Sequence, residues 1–446
     1  MFHRFASTSA ALAVVALAAA CGGGNEGGGG STTTGTASQG GGGSTGTTTT
    51  SSTTGTGGFS GAAFTSKGAS SYEAQTTLAA GGQGAVVAAW IAFFTDGTSQ
   101  IGYAVSRDGG AGWTAPAYVQ SPDGRLSSNP VVAVDGQGRG YLAWLGFQPS
   151  GAADEHVYFA KLDASSTTFG DPVVASDDGS AGHDFDKPSI TVDANDNALL
   201  AWADFTNAAQ PALTFARSAD GATFTRTTIT ADASFGNLVY LCTDASAGPT
   251  APIYAVHLAQ GALLGLHKSV DQGKSWSAGG APGAAEVVFQ GPTCVAKGSD
   301  LWIAYGTGQH AASATMDAPA DAIMVVHSAG GGASFDAPAS ASGSAAGTQY
   351  LFPQLVRTSS GKVGVVYYEG ADQAPAKLTL ASSANGVAGW ATQSLGSAGT
   401  FTLDRTLASW LGDYLGAAAS GASTLALYTE NSAGKAHVAL AKVASP

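Results

Sequence analysis

Three carboxylates recur at one position of an internal pattern. Asp204, Glu369 and Glu430 each stand two residues after an aromatic that ends a short apolar run. Glu73, Asp184, Asp186, Lys187 and Asp413 precede other short apolar runs, with Tyr72, Tyr350 and Tyr414 beside them. Acids are densest over 177–187, where His183 precedes Asp184. Brought together, such oxygens form an acidic mouth that holds a cation or the hydroxyls of a polyhydroxy ligand. Oxygen-only clusters suit Ca²⁺, which makes Ca²⁺ the candidate ion, yet no D-x-D-x-D-G loop is present and the metal content is unknown. The plainer alternative is that each acid is solvated and caps a turn. The eight histidines are scattered and none forms H-x-x-x-H, so no zinc site is indicated. Nucleotide-phosphate and serine-hydrolase motifs are absent. No organic cofactor is expected.

Composition narrows the partners. The chain has 446 residues, 18 Lys+Arg against 31 Asp+Glu, and a net charge of −13. Phosphate backbones and anionic lipid surfaces both need Lys/Arg-rich faces, so neither nucleic acid nor electrostatic membrane binding is expected. Charged residues are only 11%, against about 25% in an ordinary domain. Apolar residues reach 44%, enough for a large core.

The elements that must position the acids form a repeat. Apolar runs ending in an aromatic occur at 85–90, 140–144, 198–202, 253–254, 301–305, 363–367 and 424–428, seven in all. A strand and turn precede most of them, as at 129–135 and 187–193. Between them lies an octapeptide, S-x-D-x-G-x-x-W, as Ser106, Asp108, Gly110 and Trp113, and again as Ser269, Asp271, Gly273 and Trp276. Degenerate copies bring the Asp-equivalent positions to 108, 163, 220, 271, 330 and 385. The Asp carboxylate can accept backbone N–H bonds within a turn, and the Gly supplies positive φ. That chemistry is structural: the octapeptide is a hairpin clasp whose aromatic opens the next strand and packs inward. Four short antiparallel strands per period of about 55 residues describe a propeller blade.

These octapeptides resemble the Asp-box, or bacterial neuraminidase repeat, of sialidases and many other β-propellers. The resemblance covers 60–446. It implies an all-β chain folded as a β-propeller, and the seven apolar runs make it a seven-bladed β-propeller of four-stranded antiparallel blades, with six blades, the sialidase number, as the alternative. The last unit has only three strands, so the segment 62–66 is expected to pair beside 436–443 and close the ring. In such a ring the loops between blades and the second-to-third-strand loops share one channel mouth. The expected site there is Glu73, Asp184, Asp186, Lys187, Asp204, Glu369, Arg405, Asp413, Tyr414 and Glu430.

The same resemblance raises sialidase activity. A sialidase grips its substrate carboxylate with three arginines, and uses a Tyr activated by a Glu as nucleophile and an Asp as acid. The folded part has seven arginines, of which only Arg125 and Arg405 fall on interblade loops. The family's F-R-I-P signature is also missing, Phe352-Pro353 being its closest fragment. The tail stretch Trp410 to Gly416 and the strand start Asp186-Lys187-Pro188 look like exported Asp-box proteins called sialidase-like. The expectation is therefore a glycan- or protein-binding module, monomeric, with a sialidase-like glycoside hydrolase as the alternative.

The address is written at the start. A basic tetrapeptide and an apolar stretch of about eleven residues precede Cys21. That stretch is too short to span a bilayer and reads as a signal peptide over 1–20. Leu17 to Cys21 resembles a bacterial lipobox with Leu one place early, which implies a lipidated Cys21; ordinary cleavage beside a stray Cys is the alternative. Gly22 in place of Asp implies the outer membrane, reached through the lipid anchor only. Residues 21–59 are almost wholly Gly, Ser and Thr after the Cys, a tether with nothing to bury. Cys242 and Cys294 are 52 residues apart, in first strands of neighbouring units, and read either as a disulfide or as two buried thiols.

Overall fold

The computed structural model describes residues 60–65, 70–151, 153–231, 235–259, 261–308, 319–358, 360–371, 374–400, 410–431 and 434–445, with backbone alone at 60–65, 235–237 and 398–400. The signal-peptide, Cys21, tether and Arg405 expectations lie outside these residues.

Twenty-eight strands form seven four-stranded antiparallel sheets, a seven-bladed β-propeller. The six-bladed alternative is thereby excluded. The first strands, which face the axis, are Tyr72–Ala80, Leu126–Val134, Phe185–Val192, Phe235–Thr243, Thr293–Lys297, Gln349–Arg357 and Gly416–Ser420, in blades 1 to 7. Blade 7 is completed by Ser423–Glu430, His437–Ala444 and the N-terminal strand Ser60–Thr65. Ser60 pairs with Lys442 and Thr65 with Ala439, so the ring closes by joining the two ends of the chain. The closing strand begins two residues earlier than its sequence suggests, and Ser66 is outside the described residues.

The core lies between the blades. Second strands such as Val86–Phe93 are buried along their whole length, because a neighbouring sheet covers each face. Val87, Ala89, Ile101 and Tyr103 of blade 1 pack against Val132, Leu142 and Trp144 of blade 2. Such strands read as continuous apolar runs, not alternating ones. One expected register is corrected. Tyr254 begins its strand, Ile253–Ala259, and does not end it. His257 takes the aromatic's place there, pairing with Gly265 as Trp90 pairs with Gly102.

The octapeptide turns join blades as well as strands. Asp108 Oδ1 accepts from Ser106 Oγ at 2.7 Å and from the N–H groups of Ala111 and Gly112 at 3.0 and 2.8 Å. Asp271 is held alike by Ser269 and Ser275. Gly110 and Gly273 sit at φ 81° and 83°. A Cβ on Gly273 would come within 2.0 Å of Phe215 in blade 3, and one on Gly110 within 2.9 Å of Leu425 in blade 7. Trp113 and Trp276 pack into those same interblade clusters.

Polar side chains on the first strands also latch neighbouring blades. Thr77 accepts from Val132 N–H, Ser189 from Leu241 N–H, and Thr293 from Leu355 N–H. At the seam between blades 4 and 5 the link is covalent: Cys242 and Cys294 form a disulfide with Cα atoms 5.9 Å apart.

Candidate binding site at the channel mouth

Four first strands are bulged at the same depth, between Ala74 and Thr77, Ser128 and Val131, Asp186 and Ser189, and Leu351 and Gln354. The bulge residues Gln75, Asn129, Lys187 and Phe352 have φ of 57°, 51°, 49° and 54°. Three of them precede a proline, which has no N–H to give the ladder and so fits at a bulge. Left-handed backbone at a non-glycine costs about 1–3 kcal/mol and persists where the surroundings over-determine it. For Phe352 the surroundings are an apolar cluster with Tyr368 and Leu411; for Gln75, Asn129 and Lys187 they are a polar ring around the axis.

Gln75 Nε2 donates to Asn129 Oδ1 at 2.9 Å and to Asp413 Oδ2 at 3.2 Å. Asn129 Nδ2 donates to Asp186 Oδ1 at 3.0 Å. Lys187 Nζ lies 2.5 Å from Asp413 Oδ2 and 3.4 Å from Asn129 Oδ1. Its ammonium also stands 5.7 Å from the ring centre of Tyr414. Burial pushes the Asp186 carboxyl up, against the lowering influence of the Lys187 charge. Blades 1, 2, 3 and 7 thus meet in one buried network of two carboxylates, one ammonium and two amides.

Asp186, Lys187, Asp413 and Tyr414 are therefore brought together as expected positions, while Gln75 and Asn129 are additions. The prolines after Asn129 and Lys187 marked the shared bulge; nothing in the sequence marked Gln75. Glu155 is a third addition. Its Oε2 is buried without a hydrogen-bond partner. Burial, then the charges of Asp184 and Asp186, push its carboxyl up to about 7. Glu155 N–H donates to His183 O, which ties the loop of blade 2 to the entry of blade 3. Asp184 stands half-buried beside it at the mouth.

The other expected acids do not join the network. Glu73 is fully buried in the wall, where it accepts from Trp90 Nε1 at 3.2 Å, Ser70 Oγ at 2.7 Å and Val438 N–H at 3.3 Å. Asp204 caps its own turn through Thr206 N–H at 3.0 Å. Glu369 pairs with Lys377 of the same hairpin at 2.9 Å. Glu430 ends its strand opposite His437. The repeat position shared by Asp204, Glu369 and Glu430 is thus a hairpin end in three separate blades, not a common site. Tyr72 stacks on Phe93 and Tyr350 packs against Tyr367, both in blade cores. Among the described residues no three His, Cys, Asp or Glu side chains gather as a cation site.

The described arginines of the propeller are spoken for by local partners. Arg125, at the mouth, pairs with Asp154 at 2.6 Å. Arg139 pairs with Asp135 and Asp196, and Arg217 with Asp193, all at first-to-second-strand turns on the opposite end. Arg107 donates to Gly138 and Ser166 carbonyls there. Arg357 lies over Trp302, and Arg226 belongs to an outermost strand. No three converge among the described residues.

No protein-family model matches the sequence, and no curated protein matches it. Solved structures do match. The Hadza microbial sialidase Hz136 aligns with a TM-score of 0.51 at 12% identity, over 84% of this chain and 66% of that one. A protein of unknown function from Dyadobacter fermentans aligns with a TM-score of 0.49 at 14% identity, over 83% and 94%. A leech intramolecular trans-sialidase aligns with a TM-score of 0.44 at 15% identity, over 87% and 70%. At these identities the likeness is one of fold: the chain has a sialidase-like propeller fold.

Proposed function

We propose that this chain is a surface-tethered binding propeller that takes a glycan at its channel mouth, without sialidase chemistry. The observation that carries the reading is the internally compensated network of Asp186, Lys187 and Asp413 below a mouth edged by Glu155 and Asp184. Among the described residues the network leaves no free cation to grip an anionic sugar. Glu155 and Asp184 offer acceptors suited to sugar hydroxyls. The propeller would stand off the outer membrane on a lipidated Cys21 and the Gly/Ser/Thr-rich segment that follows it, as a monomer, with a protein ligand at the same mouth as the alternative partner.

A second reading, a glycoside hydrolase, has one observation in its favour. Glu155, raised to about 7, beside Asp184 resembles the acid and the carboxylate partner that glycosidases pair. Full-length protein carrying Cys21→Ser separates the readings. Glycan-array binding without turnover of aryl glycosides or sialyl-lactose supports the binding module. Turnover that Glu155→Gln abolishes would replace it with the hydrolase, and neither binding nor turnover would remove the glycan reading. Fractionation of cells expressing wild type and Cys21→Ser tests the anchor: only the wild type should sediment with membranes.

A further inference from the structure

Below the polar ring lies a cavity of about 90 Å³ on the axis, lined by first-strand residues or their lead-ins from all seven blades. One water needs roughly 10–15 Å³ by the same measure, together with two to four polar partners. Most polar side chains of the wall already have partners: Lys187 pairs with Asp413, Thr76 donates to the Leu427 carbonyl, and Gln354 donates to Tyr240. Val131, Ile190 and Leu238 line it together with three prolines. The hydroxyls of Thr77, Ser189 and Thr293 already accept N–H bonds from neighbouring blades.

Two phenols differ. Tyr414 lines the cavity, and its hydroxyl is buried with no hydrogen-bond partner. Tyr240, from blade 4 on the far side, accepts from Gln354 Nε2 at 2.8 Å. That bond leaves the Tyr240 proton without an acceptor among the described residues. A buried donor left unmade costs about 1–3 kcal/mol, so an occupant that accepts from these phenols is stabilised there, and an apolar body suits the rest of the wall.

We infer that the axial cavity binds a compact uncharged amphiphile, an aliphatic ketone, alcohol or amide, whose oxygen accepts from Tyr414 and whose body packs on Val131, Ile190 and Leu238. The cavity shares Lys187, Asp413 and Tyr414 with the polar ring above it and does not depend on glycan binding. Lys187 and Asp413 neutralise each other at its upper end, which disfavours a charged occupant.

The probe is cyclohexanone, with methylcyclohexane as the control that lacks an oxygen. Saturation-transfer NMR on the full chain with Cys21→Ser should show saturable cyclohexanone binding. Tyr414→Phe should weaken it about 10-fold, the loss of one hydrogen bond near 1.4 kcal/mol. Leu238→Trp, which fills the cavity, should abolish it; if that variant misfolds, Val131→Phe serves. Equal affinity for the two probes, an unchanged affinity in Tyr414→Phe, or a crystal soaked with cyclohexanone that shows only ordered water on the axis would overturn the assignment.

Discussion

Lys187 Nζ lies 2.5 Å from Asp413 Oδ2, an ion pair that joins blade 3 to blade 7 across the axis, 226 residues apart in the chain. Both side chains are buried. A buried pair is stabilising only against the loss of one partner, since each charge has been taken from water. Lys187→Met should therefore cost about 3–5 kcal/mol, leaving Asp413 and Asp186 without their cation. Lys187→Met with Asp413→Leu should recover part of it, because Asp186 alone is then left without its cation, and burial already pushes that carboxyl toward its protonated form. Urea unfolding of the three proteins measures this. A single variant as stable as wild type would show that the pair is solvated.

The octapeptide turns carry a second prediction. Asp108→Ala and Asp271→Ala each orphan turn donors, and should lower stability by about 1–3 kcal/mol while leaving ligand affinity unchanged. Gly273→Ala should be worse than either. It places a Cβ at φ 83° and drives it into Phe215 of the neighbouring blade. Thermal melts rank the three; Gly273→Ala melting above Asp271→Ala would contradict the interblade role.

These outcomes bear on what the sequence makes legible. Blade number follows from Trp90, Trp144, Trp202 and their equivalents, because an aromatic that fills an interblade space is required once per blade. The site is harder to read. Alternation along Tyr72–Ala80 assigns Glu73 to the channel only if the strand keeps its period of two. The bulge at Gln75 breaks that period, turns Gln75 to the axis and leaves Glu73 on the Trp90 side. Lys187 and Asp413 were recognisable as charges near strand starts. Their being partners was not, since nothing local links residues on opposite sides of a ring. Asn129 and Gln75 are neutral, and a search for charge passes over them.

The seam between blades 4 and 5 is fastened by Cys242–Cys294. Closing a loop of this size in the unfolded chain is worth about 2–4 kcal/mol. Cys242→Ala with Cys294→Ala should lower the urea midpoint accordingly, and dithiothreitol should shift the wild type alone. A reductant effect of equal size on the double variant would point to some other cause.

Ring closure depends on Ser60–Thr65 lying against His437–Ala444. Removing residues 60–65 leaves the His437–Ala444 edge unpaired, and a bare edge templates pairing with other chains. The expected result is a lower melting temperature and concentration-dependent association in size-exclusion chromatography. A deletion variant that stays monomeric and melts like wild type would show that the strand is dispensable.

Glu155 sets a pH dependence whose sign follows from its environment. Its carboxyl rises from an ordinary 4.5 to about 7 in the folded protein. Below about 4.5 both folded and unfolded chains hold the proton, and the residue favours neither. Between the two values the folded chain holds more protons than the unfolded one, so its stability falls as pH rises. Above about 7 the folded protein carries a buried carboxylate beside Asp184 and Asp186, and the full penalty is present. Glu155→Gln keeps the shape and removes the titration. It should therefore match wild type near pH 4 and be the more stable of the two at pH 8, with the difference opening between pH 5 and 7. Urea unfolding across that range provides the measurement. A difference that stays flat with pH, or that opens in the opposite direction, would mean that Glu155 is solvated and that the mouth holds no protonated acid.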